Sequence, residues 1–138
     1  MTVRSSAFPL DPTPENIAKA REFVFQKWLD RHRELHGDGG AESEPTDLSG
    51  SCKFSALFAQ ALFGGEIRAN PGHTFVRLGS QIIDLNAHAE DVRAMSQPYS
   101  HWRSFTRLRD FRDSLDSCRP RVTAWLNEFV SGLQEVPA

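Results

Sequence analysis

The first long periodic stretch of the chain lies between residues 13 and 36. Apolar Ile17, Val24, Trp28 and Leu35 recur at helical spacing, and Phe23 and Phe25 widen the stripe. Thr13-Pro14-Glu15 supplies a start: an N-cap hydroxyl, a Pro whose missing N–H costs nothing in the first turn, and an acid at the positive end of the dipole. Gly37 supplies the stop. The pattern predicts a helix of about 23 residues, roughly 34 Å long. Residues 1–12 hold two Pro and no periodicity, and read as an extended lead-in.

Periodicity is lost over residues 37–50 (GDGGAESEPTDLSG), an acidic, Gly-rich loop of about 14 residues, of which 38–47 reads either as a solvated segment or as a gate to the cleft beside Cys52. It returns in CKFSALFAQALFGG, where Phe54, Leu57, Phe58, Ala61 and Leu62 fall on or near one face of a second helix closed by Gly64-Gly65. Asn70-Pro71-Gly72 is a turn. HTFVRL and QIIDL are strand-like runs joined by Gly79-Ser80, and Gly at the first turn position suits a type II′ hairpin. Ala89 to Ser96 has a short helical pattern, and residues 97–109 are irregular or a strand. The chain ends in a helix that Arg119-Pro120 can open, with Val122, Trp125, Leu126, Phe129 and Leu133 on its buried stripe.

These elements predict a single α+β domain spanning residues 1–138, with a small antiparallel β-sheet packed against helices. Composition supports this. Apolar residues are 39% and charged residues 25%, and ten Phe and three Trp are enough for a core. A net charge of −2 argues against a nucleic-acid binder. No run of about 18 apolar residues is present, so no transmembrane helix is expected. The N-terminus lacks the apolar stretch of a secretory signal. Two cysteines are no disulfide framework and fit a reducing compartment, so a cytoplasmic location is expected, with signal-independent export as the alternative.

The chemistry concentrates in residues 48–86. Cys52 stands at the start of the second helix, where free N–H groups and the positive dipole end favour a thiolate and can receive an oxyanion. In a two-residue hairpin at Gly79-Ser80, Leu78 faces Gln81, Phe75 faces Asp84 and His73 faces Asn86. Parity then puts His73, Phe75 and Arg77 on the same sheet face as Ile82, Asp84 and Asn86. Asp84 is the diagonal neighbour of His73 and Asn86 its direct opposite, so either can hold the imidazole by its ring N–H. If this face packs on the helix that starts at Cys52, nucleophile, base and orienter meet at one edge, which is the logic of an activated nucleophile.

The same residues resemble a known superfamily. SGSCKFSALFAQALFGGEI, then HTFVRL, then QIIDLNAHA, is similar to the papain-like and transglutaminase-like thiol proteins, and closest to small bacterial YunG-like proteins. The matching elements are the helix started by Cys52, Phe63 to Ile67, His73, and Asp84-Leu85, roughly residues 47–90. The resemblance implies a papain-like core with Cys52 as nucleophile, His73 as base and Asp84 as orienter. It implies a peptidase, amidase, deamidase or transglutaminase acting on an amide or thioester carbonyl of a protein or peptide, with no cofactor. Leu48-Ser49-Gly50-Ser51-Cys52 also resembles, with one extra Ser, the Leu-Ser-Gly-Cys motif of cytotoxic necrotizing factor-type deamidases. No Gln stands where papain-like peptidases carry their oxyanion Gln, so backbone N–H groups must serve. A secreted bacterial effector that deamidates a target protein, and a non-catalytic binding or adaptor module on the same fold, are the alternatives.

Other groups have plainer readings. Asp84 and Asn86 are also ordinary caps after a strand. Tyr99, His101 and Trp102 cluster in the irregular segment, as a core plug or, for Tyr99 and Trp102, as a wall of the substrate cleft. His32 and His36 are spaced i, i+4, as zinc ligands can be, but no local acid or Cys completes a site, so no metal is expected. Cys118 reads as structural. The Arg-rich run from Arg103 to Arg121, interleaved with Asp110, Asp113 and Asp116, reads as intrahelical ion pairs or as a patch for an acidic partner.

Overall fold

Thr13 and Gly37 bound the first helix, α1 (Pro14–His36), in the computed structural model of the chain, which describes residues 8–37 and 44–134. Thr13 Oγ1 accepts the Asn16 N–H at 3.1 Å, and Gly37 ends the helix at φ +65°. Ala20, Val24 and Trp28 are buried. Leu35, expected on the buried stripe, is 55% exposed, because the last two turns of α1 carry no buried residue. Residues 1–7 of the lead-in and residues 38–43 of the acidic loop lie outside the described residues.

The second helix, α2 (Cys52–Phe63), is buried over more than one face: Ser55, Ala56, Leu57, Phe58, Ala59, Leu62 and Phe63 are all enclosed. It packs on both the sheet and the last helix. Gly64 and Gly65, at φ +92° and +100°, then turn the chain into β1 (Glu66–Asn70). A Cβ on Gly65 would lie 2.7 Å from Val76 Cγ1 and 2.8 Å from the Arg77 carbonyl oxygen, so only glycine fits. β1 has no counterpart among the elements that the hydrophobic pattern predicts. It makes the sheet three-stranded and antiparallel, in the order β1, β2 (His73–Leu78), β3 (Gln81–Ile83).

The β2–β3 register is the expected one: Leu78 opposite Gln81, Arg77 opposite Ile82, Val76 opposite Ile83. Gly79 has φ +61° and Ser80 does not take positive φ, which agrees with a type II′ turn. β3 stops at Ile83, however, so neither Asp84 nor Asn86 continues the ladder. Ala69, Val76 and Ile83 join the cluster formed by α1, α2 and the last helix, so the face carrying Val76 is the one that packs on α2. Phe75, on the opposite face, lies under the Tyr99 ring at 5.2 Å.

Two short helices follow, α3 (Glu90–Arg93) and α4 (Arg103–Thr106). Between them, residues 97–102 run along the outer edge of β1. The Ala69 N–H donates to His101 Nδ1 at 3.2 Å, and the Ala69 carbonyl accepts from the Trp102 N–H at 2.9 Å. That covers the edge strand.

The last helix, α5, is Arg109–Gln134. It starts ten residues before the Arg119-Pro120 expected to open it, and Pro120 lies inside. Phe111, Leu115, Cys118, Val122, Trp125 and Phe129 are all buried at alternating spacings of four and three. Burying an apolar side chain is worth roughly 1.5–3 kcal/mol, against about 3 kcal/mol for a proline in a helix interior. Six such side chains outweigh one proline. Phe23 of α1 packs on Phe58 at 5.7 Å and on Phe129 at 5.0 Å, joining the three long helices. Arg121 reaches across to Glu34 at 3.0 Å, and Lys27 to Glu128. Among the described residues no helix is long and apolar enough to cross a membrane.

Candidate active site

The site begins with a strand end. Ala69 spends its N–H and carbonyl on residues 101 and 102, so Ala69 and Thr74 are a non-hydrogen-bonded pair of the β1–β2 ladder. The Thr74 N–H therefore points toward β3, which has already ended. Cys52 lies toward that gap: the Thr74 backbone N–H and the His73 ring both stand close enough to its sulfur to favour the thiolate. The thiol thus reaches His73 around the edge of β2, while α2 packs on the Val76 face. It does not meet the imidazole through the face that His73 shares with Phe75.

His73 is buried, and its Nε2 lies 2.8 Å from Asp84 Oδ2. With Nε2 so engaged, Nδ1 is the nitrogen left for Cys52. The Asp84 carboxylate is itself held. Its Oδ1 accepts the Asn86 N–H at 2.9 Å, and its Oδ2 also accepts the Tyr99 hydroxyl at 2.9 Å. Asp84 caps a tight turn with one oxygen and faces the imidazole with the other.

Electrostatics follow from this geometry. Burial pushes the Cys52 thiol up. The His73 and Thr74 hydrogen bonds and the charges of His73 and Lys53 outweigh it and bring the thiol below its ordinary value. Burial pushes His73 down, but the Asp84 and Cys52 hydrogen bonds and charges raise it from 6.5 to about 9. Both directions favour a thiolate–imidazolium pair. Cys52 opens α2, so its own N–H and that of Lys53 have no acceptor within the helix.

The approach to Cys52 is stitched in place. Asn86 does not face His73. The Asx turn at Asp84 swings it round, and its Nδ2 donates to the Leu48 carbonyl at 3.0 Å and to Ser51 Oγ at 3.2 Å. Ser51 Oγ in turn donates to the Leu48 carbonyl at 2.6 Å. Asp47 accepts the Ser49 and Glu90 N–H groups at 2.9 and 2.8 Å, and Asp91 accepts the Gly50 N–H at 2.9 Å. Residues 47–51 are thereby tied to the start of α3 and to the hairpin exit, as an anchored ramp into α2. The gating reading of the acidic loop falls on residues 38–47, of which 38–43 are outside the described residues.

Of the two candidate cleft walls, Tyr99 lies against His73 and Phe75. Trp102 is 53% exposed and borders a groove of about 430 Å³ with Asn70, Pro71, Gly72, Met95 and Gln97. Cys118 is buried in mid-helix, donates to the Ser114 carbonyl at 3.5 Å, and has its pKa raised by burial. The His32 and His36 rings sit 4.4 Å apart, and among the described residues no three His, Cys, Asp or Glu side chains converge as a metal site. Arg109 pairs with Asp113 and Arg119 with Asp116 within α5, as intrahelical pairing expects.

Fold and site together define an α+β protein in which a hydrogen-bonded His73–Asp84 pair stands beside a cysteine at the start of a buried helix. Compared with known proteins, the chain matches no family model, no curated protein and no solved structure.

Proposed function

We propose that the chain is a cysteine-dependent acyl-transfer enzyme with a papain/transglutaminase-like core. Its substrate is an amide or thioester carbonyl of a protein or peptide. One observation carries this reading: Asp84 Oδ2 holds His73 Nε2 at 2.8 Å, and the His73 ring acts in turn on the helix-start sulfur of Cys52.

In this mechanism the Cys52 thiolate attacks the carbonyl carbon. The new oxyanion is received by the first N–H groups of α2. The His73 imidazolium gives its proton to the leaving amine, the C–N bond breaks, and a thioester to Cys52 remains. Neutral His73 then takes a proton from water or an incoming amine, which attacks the thioester and releases the thiolate. Water gives hydrolysis or deamidation, and an amine gives transglutamination. Asp84 keeps the imidazole in the tautomer that presents Nδ1 to the sulfur. No step draws on a cofactor. Both cysteines are free, which suits a cytoplasmic site of action.

The test is the rate of Cys52 alkylation by iodoacetamide against pH, in a Cys118→Ser background, with and without His73→Gln. Glutamine keeps a donor for Asp84. Rapid labelling at pH 6 that collapses in His73→Gln is expected. A free thiol titrates near pH 8.5, so an ordinary profile in both proteins overturns the ion pair and favours a non-catalytic binding module.

A further inference from the structure

Asp84 carries more donors than a Cys–His–Asp line requires. Its Oδ2 is shared by His73 Nε2 at 2.8 Å and the Tyr99 hydroxyl at 2.9 Å, while Oδ1 holds the Asn86 N–H at 2.9 Å. An ionised carboxylate only accepts, so the phenol is the donor. Tyr99 is held for this contact from two sides. Its ring stands edge-on to Phe75 at 5.2 Å and tilted to His73 at 6.0 Å. Its backbone is clamped by Asn70, whose Nδ2 donates to the Pro98 carbonyl at 3.1 Å and to the Ser100 carbonyl at 2.8 Å, one residue on either side.

We propose that Tyr99 is a positioning residue for this site: its phenol fixes which carboxylate oxygen faces His73 and draws part of the Asp84 charge away from the imidazole. This rests on the reading of Cys52, His73 and Asp84 as the reactive line, and it enlarges the role of Tyr99 beyond a cleft wall. The charged groups that face His73 are Asp84 from the hairpin exit and Cys52 from α2, with Lys53 acting on Cys52. Arg68, on the neighbouring strand, is turned to Glu66 at 2.8 Å, and His101 is turned to the Ala69 N–H.

The consequence has a definite sign. A donor on Oδ2 weakens the hold of Asp84 on the imidazolium, so His73 gives up its proton to a leaving group more readily. Removing the donor concentrates charge on the oxygen facing Nε2 and makes the imidazolium more persistent.

The experiment is an NMR titration of the His73 ring nitrogens in Cys52→Ala and in Cys52→Ala/Tyr99→Phe. Phenylalanine keeps the ring against Phe75, and the alanine removes the thiol from the titration. The His73 midpoint is expected to rise by roughly half to one pH unit in the Tyr99→Phe protein. A second variant, Asn70→Ala, frees the clamp without touching the phenol and is expected to move the midpoint the same way. A midpoint unchanged to within about 0.2 pH unit, or lowered, in Tyr99→Phe overturns the proposal, since a simple wall moves nothing when only the hydroxyl is lost. The thiol reading is judged separately by alkylation, so each can fail without the other.

Discussion

The coupling of His73 to Asp84 is open to a stability measurement that needs no substrate. A rise of the imidazole from 6.5 to about 9 corresponds to about 3 kcal/mol of preference for the charged form in the folded protein. His73 is buried, so solvent does little to screen this. A raised folded-state pKa contributes stability that is complete below pH 6.5 and is lost as pH rises through about 9. Cys52 works in the opposite sense. Its lowered pKa contributes stability that is complete above the ordinary thiol range and is lost as pH falls. In the native chain the two windows overlap and largely cancel, because the folded pair holds one proton where the unfolded pair also holds one.

Cys52→Ala removes the cancellation. The Asp84 hydrogen bond is the largest of the effects that raise His73 and the Cys52 hydrogen bond the next, so only part of the preference, the part due to Asp84, survives in that variant. Its unfolding free energy is expected to fall by about 1 kcal/mol between pH 6.5 and 9. Adding Asp84→Asn keeps the size and one acceptor but removes the charge. The fall is then expected to shrink to about 0.5 kcal/mol or less. Urea unfolding at half-unit pH steps measures both, with the slope of each transition checked for constancy. An equal pH dependence in the two proteins refutes the argument, since Asp84 would then not be what charges His73. A flat profile in Cys52→Ala alone refutes it too.

Two further outcomes follow from the scaffold. Asn86→Ala removes the bonds to Leu48 and Ser51 and is expected to cost about 1–3 kcal/mol in urea unfolding, and to slow alkylation of Cys52 at pH 6 as the ramp into α2 loosens. Unchanged stability and labelling would show that the ramp holds without it. Gly65→Ala places a methyl 2.7 Å from Val76 Cγ1 at φ +100°, and a loss of more than about 2 kcal/mol is expected in thermal or urea unfolding, with a near-neutral result contradicting the close approach of α2 and β2.

The partnership of His73 and Asp84 is legible in the sequence because it depends on a two-residue turn and a period of two. The Gly79-Ser80 loop sets the register, and the register puts the acid beside the base on one face. The ladder was expected to run through Asp84 to Asn86. Instead the Asp84 carboxylate captures the Asn86 N–H and ends the strand, a competition between side chain and ladder that spacing alone does not resolve. β1 left a signal, the alternation Glu66-Ile67-Arg68-Ala69-Asn70, but five residues between a Gly pair and a Pro-Gly turn are also a plain connection. Only pairing with β2 makes them a strand. Tyr99 left no local signal for its bond to Asp84, fifteen residues away across an irregular segment.

Short-range chemistry in the sequence thus determined the bounds of α1, the start of α2 at Cys52, and the hairpin with its register. Each is decided within a turn or two of chain, by caps, glycines and alternation. The tertiary structure alone decided that α5 runs unbroken through Pro120, because burial along α2 outweighs one proline. It also decided which face of β2 meets α2, so that Cys52 reaches His73 around a strand end. And it decided that Asn86 reaches Leu48 and Ser51, and Tyr99 reaches Asp84, from positions that parity does not reach. These contacts join residues far apart in the chain, and their free energy comes from burial and shared hydrogen bonds that exist only once the layers are packed.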